Sequence, residues 1–214
     1  MQSLIRLLNR IPEGLYRIGG FCLFLCCVLH KWSIRDSYTN AFLWVLETGI
    51  FVFLALFYLL RRAPKKLPEN ASESLLTLIG GAWPFLLLLT KRSDFGLEYQ
   101  DWLLSAMAIS TALTLLSYLY LNEAFSIMVE ARVLKTSGPY SWVRHPVYSG
   151  QLITAAVVLL WRFSFVNGIL FLGFCAIQYY RALLEEQKLS SAFEDYEKYA
   201  QKRGMFFPKL RGRC

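Results

Sequence analysis

The residues best suited to chemistry fall in two short clusters far apart in the chain. One is Arg144-His145-Pro146, inside TSGPYSWVRHPVYSG; the other is Arg181 with the adjacent carboxylates Glu185 and Glu186. His145 is one of two histidines in 214 residues. The proline after it disfavours helical geometry at His145 and suits the first position of a following helix. His145 is therefore expected at a helix N-terminus, where unpaired N–H groups and the positive end of the dipole favour a carboxylate or phosphate. Arg144 adds charge, and Tyr140, Trp142 and Tyr148 add flat surfaces for a ring or a cation. Each cluster also has a plainer account. Arg144-His145 would serve as a basic, aromatic-flanked membrane anchor, and Arg181 with Glu185 as an i,i+4 ion pair on an exposed helix. A third candidate is Glu47, a carboxylate inside an apolar run, which is functional, paired with a neighbouring helix, or protonated.

The elements that must carry these clusters are apolar. Hydrophobic residues make up 56% of the chain and charged ones 18%, below the roughly 25% usual in soluble domains. Four runs approach the roughly 20 residues a bilayer core requires: Leu15 to Trp32, Ala41 to Leu60, Ser74 to Thr90 and Trp102 to Leu121. The first also has the basic start of a signal peptide, but further spans follow it at once, so a retained helix is the expectation. A fifth block, Gln151 to Tyr180, reads as two short helices joined by a turn at Arg162 to Gly168, and Arg181 to Arg203 reads as an amphipathic helix. Pro84, after Gly80 and Gly81, is expected to kink the third span. The fold class is thus an all-α integral membrane protein with about four full spans, a C-terminal short helical hairpin and a cytoplasmic amphipathic helix. Residues 1–121 are expected to form its N-terminal membrane helices, and 122–214 a separate region that carries both clusters.

Lys and Arg in the loops, RRAPKK above all, place both termini and the Arg144-His145 stretch in the cytoplasm. The net charge of +8 needs no nucleic acid, since positive-inside bias and attraction to anionic membrane lipids account for it. Five cysteines without paired CxxC spacing give no disulfide framework and no metal site.

From Phe125 to Pro208 the order of features resembles the isoprenylcysteine carboxyl methyltransferase and phospholipid methyltransferase superfamily. The stretches that carry the resemblance are FSIMVEARVLKTSGPYSWVRHPVYSG, RALLEE, FEDYEKY and Pro208. The resemblance implies an S-adenosyl-L-methionine-dependent membrane methyltransferase acting on a lipophilic acceptor. It implies cofactor contacts at Glu130, Arg132, Val133, Leu134, Lys135, Tyr140, His145, Pro146, Val147, Tyr148 and Glu185, and a substrate-facing role for Arg181. A carboxylate acceptor would need alignment and exclusion of water but no general base. An amine acceptor would need a proton acceptor, with Glu186 or Glu185 the nearest candidates. Two rival readings are an NADPH-dependent sterol-type reductase, which shares the RHPxYxG element, and a non-enzymatic adaptor. The compact form favours a bacterial inner membrane.

Overall fold

The structure is a computed structural model, and it describes residues 13–33, 35, 41–60, 73, 76, 79–81, 83–90, 93–121 and 133–209. All regular elements among these are helical. They are α1 (Glu13–Ser33), α2 (Ala41–Leu60), a 3-10 segment (Trp83–Leu89), α3 (Asp94–Glu98), α4 (Gln100–Leu121), a second 3-10 turn (Gly138–Ser141), α5 (Pro146–Trp161), α6 (Phe165–Ala192) and α7 (Tyr196–Lys202).

Among the described residues one helix, α4, is long and apolar enough to cross a membrane. Its 22 residues rise about 33 Å, a little more than a hydrocarbon core. It buries Ser110, Thr111, Thr114 and Ser117 while Trp102, Ile109 and Leu116 face outward. That inversion suits lipid, where small residues let helices approach and apolar ones need no cover. Ser110 Oγ lies 2.8 Å from Thr154 Oγ1 on α5, and a Cβ on Gly150 would strike Thr114 Oγ1. Helices α1 and α2 coincide with the first two apolar runs and pack on α4 through Phe24, Leu54, Phe57 and Tyr118. Glu47 is ion-paired with Lys31 across α1 and α2, the paired alternative of the three open for it.

Two expectations are corrected. Beyond Pro84 the chain runs as a 3-10 segment rather than a kinked α-helix, because proline removes the donor and crowds the preceding turn of an α-helix. The helix through Tyr180 does not end there: α6 is continuous over 28 residues. Nothing between Gln178 and Leu189 breaks a helix, whereas the cap at Phe193 is extended and ends it. The amphipathic stretch is thus the end of α6 plus the separate α7.

The described residues between 73 and 90 run antiparallel to α6 and fix its height. Glu73 pairs with Lys188 at 2.5 Å with both buried, Gly80 faces Ile177 and Arg181, and Trp83 Nε1 donates to the Leu170 carbonyl at 2.8 Å. At the far end Asn167, fully buried, donates to Leu87 O, Thr90 Oγ1 and Arg162 O.

Candidate active site

The loop before α5 is shaped by Gly138, whose φ of 58° suits glycine and few other residues. Pro139 follows, and Tyr140 is buried. His145 is the N-cap of α5, with Pro146 at the first helical position. The stretch that follows α7 closes over this loop. Arg144 and His145 donate their backbone N–H groups to Gly204 O (2.9 Å) and Met205 O (3.0 Å). Ser149 Oγ donates to Phe206 O at 2.7 Å. Helix α7 adds the Tyr199 hydroxyl, donating to Tyr140 O at 2.6 Å, and Ala200 O, which accepts from Arg144 at 3.1 Å.

Into this frame α6 brings the second cluster. Arg144 Nε meets Glu186 Oε1 at 2.9 Å and His145 Nε2 meets the same oxygen at 3.1 Å. His145 Nδ1 lies 3.6 Å from Glu185 Oε2, and the Tyr148 hydroxyl donates to Glu185 Oε1. The Tyr148 ring stacks on His145 with centroids 5.5 Å apart, and the Arg181 guanidinium lies 5.1 Å from its centre. Burial alone would lower the His145 pKa, but its bonds to Glu185 and Glu186 and their charges outweigh this and raise it. Burial pushes the Tyr140 hydroxyl well above its ordinary value, and that of Tyr199 up to about 12, so both remain neutral donors at physiological pH.

The sequence-predicted residues divide. Tyr140, His145, Pro146, Tyr148, Arg181, Glu185 and Glu186 lie together along the α5–α6 interface and the loop above it. Val147 packs instead against the α1–α2–α4 core, leaving only its backbone near the loop. Val133 and Leu134 line a cleft of about 540 Å³ with Phe193 and Asp195, where α6 ends. Lys135 is half-buried beside them. Glu130 and Arg132 lie outside the described residues. Trp142 is 62% exposed and stands apart from the cluster. His145 is also aimed differently from expectation, because its ring nitrogens face the chain's own carboxylates.

Sequence reasoning missed Gln151, Gln178 and Gly80, all of which bear on Arg181. The signal was present in the two glutamines, since an amide inside an apolar run requires a partner just as Glu47 does.

The comparisons with known proteins fall on this same region. Residues 102–191 match the isoprenylcysteine carboxyl methyltransferase (ICMT) family. The match spans α4, the loop, α5 and nearly all of α6, and so takes in both clusters. The chain is also similar to the cobalt-zinc-cadmium resistance protein CzcN of Cupriavidus metallidurans, 36% identical over 80 residues. That alignment covers 36% of this chain and 36% of the relative.

The ICMT match raises S-adenosylmethionine as a ligand, and the donor set can be tested against it. The group is zwitterionic, with a flat ring and a positive sulfur. The site offers two carboxylates, three basic side chains, buried tyrosines and the first turn of α5, where amides have no partner within the helix. Both signs of charge and the aromatic surface are present, so the residues fit.

Proposed function

We propose that this chain is an S-adenosylmethionine-dependent membrane methyltransferase whose acceptor is a lipophilic carboxylate at the cytoplasmic face. The observation that carries the reading is the convergence of Arg144 and His145 on Glu185 and Glu186, within 3.6 Å or less, in a segment that matches the ICMT family. The cofactor would be held by Tyr140, the start of α5 and Glu185, with Glu130 and Val133 to Lys135 as further contacts. It would supply an activated methyl group on a positive sulfur.

The chain's own residues do the rest. Arg181 clamps the acceptor carboxylate with parallel N–H donors, which fixes the nucleophilic oxygen and replaces the water it gives up. Glu186 Oε1 is already ion-paired with Arg144 and hydrogen-bonded to His145, so it secures the loop rather than standing ready for an acceptor's proton. That favours a carboxylate over an amine. A lipid-borne acceptor would enter sideways from the bilayer, alongside the outward apolar face of α6, where Ile169 and Leu172 are exposed.

The deciding test is calorimetric titration of the detergent-purified protein with S-adenosylmethionine and with NADPH, alongside His145→Ala and Glu185→Ala. Micromolar binding of S-adenosylmethionine alone, lost in both variants, is expected. NADPH binding would make the protein a reductase. Binding of neither by folded protein would reduce the cluster to a membrane anchor.

A further inference from the structure

Arg181 is 7% exposed, and its guanidinium is held by residues to which the reaction gives no role. Its Nη1 donates to Gln178 Oε1 at 2.9 Å. Gln178, fully buried, donates through Nε2 to Gln151 Oε1 at 2.5 Å. Gln151 Nε2 in turn reaches the Tyr118 hydroxyl at 3.4 Å. Every donor in this row points away from Arg181, so the amides fix one another's orientation. Were Gln178 turned over, its NH2 would face the guanidinium, donor against donor. On another side Gly80 lies close against it: a Cβ there would sit 3.0 Å from Arg181 Cδ and 3.1 Å from Nη1, so any larger residue would press on the side chain.

Such a row is costly. Three helices each place a polar group in an apolar bundle, where Leu or Met would pack without needing a partner. What the row provides is a single pose for one arginine. An arginine side chain loses the benefit of its planar fork when it is free to swing, and a two-point clamp on a carboxylate tolerates little misalignment.

We infer that Gln178, braced by Gln151, is a positioning residue that holds Arg181 for an anionic acceptor and so sets the preference for a carboxylate over a neutral group. The inference rests on the proposed role of Arg181 as the acceptor clamp. Farnesylcysteine as the free acid and as its carboxamide serve as probes, titrated into the full chain in the presence of S-adenosylhomocysteine. Wild type is expected to favour the acid. Gln178→Met should narrow that acid-to-amide preference by about tenfold, and Gln151→Met should narrow it less, in the same direction. Neither change should matter once Arg181 is alanine, because residues acting through a shared partner are not additive. Melting curves identify folded variants, and Gln151→Met carries the test if Gln178→Met does not fold. An unchanged preference in the folded glutamine variants, or an equal loss in the Arg181→Ala background, overturns the inference. A wild type indifferent to the acid removes the carboxylate reading itself, and the inference with it.

Discussion

His145 governs how the site responds to pH. Buried among apolar atoms it would be neutral, yet Glu185 and Glu186 keep it charged above its ordinary 6.5. A base whose folded pKa is raised contributes its full stability below the unfolded value and loses it as pH climbs through the folded one. Melting temperature in detergent is therefore expected to fall as pH rises from about 6.5 into the alkaline range. His145→Gln, uncharged throughout, should flatten that dependence, and a wild-type slope no steeper than the variant's would mean the ring is neutral. The two clusters were legible in the sequence as residue types. Their pairing was not. His145 was expected to meet a ligand's carboxylate, and the carboxylates it meets lie about 40 residues further along its own chain, beyond the reach of any local pattern.

At the scale of elements, the seam between α4 and α5 depends on small residues. Gly150 admits Thr114 so closely that a side chain there must push the helices apart, and Gly150→Val is expected to cost about 1–3 kcal/mol. Gly168→Ala, with nothing within 4 Å, is the matched control and should leave the melting temperature unchanged or slightly higher. Equal effects of the two would show that the seam does not bear on stability. The Ala41–Leu60 helix could be read to the residue because a run that is apolar but for Glu47 and Thr48, set between polar flanks, leaves little choice of ends. The end of α6 could not. Its outward positions change from apolar to polar at Tyr180 without any break in helical geometry, so a change of environment looked like a change of element. Pro84 marked an interruption correctly, but a local rule does not say whether the chain will bend an α-helix or tighten into a 3-10 one.

For the molecule as a whole, apolar exposure is the dominant fact. Ile109 on α4 is 72% exposed and Trp102 is 77% exposed. If lipid covers this face, Ile109→Lys carries about 2.5–3.5 kcal/mol of insertion penalty, seen as lower recovery in the alkali-resistant membrane fraction. Undiminished recovery would place water, not lipid, against Ile109. Composition alone led to the expectation of exposed apolar helices, and Ile109 and Trp102 show that exposure. Which stretch lies against which was not legible, because it depends on the pairing of Glu73 with Lys188 and of Gly80 with Arg181 across about a hundred residues. That pairing has a consequence for descent. The His145 end of the site is walled by the loop before α5 and the residues around α7, the Arg181 end by the strip about Gly80. On the proposed reading, a lineage can rewrite the strip to admit a new acceptor and leave the His145 end as it found it. Specificity is then free to drift while the chemistry is inherited.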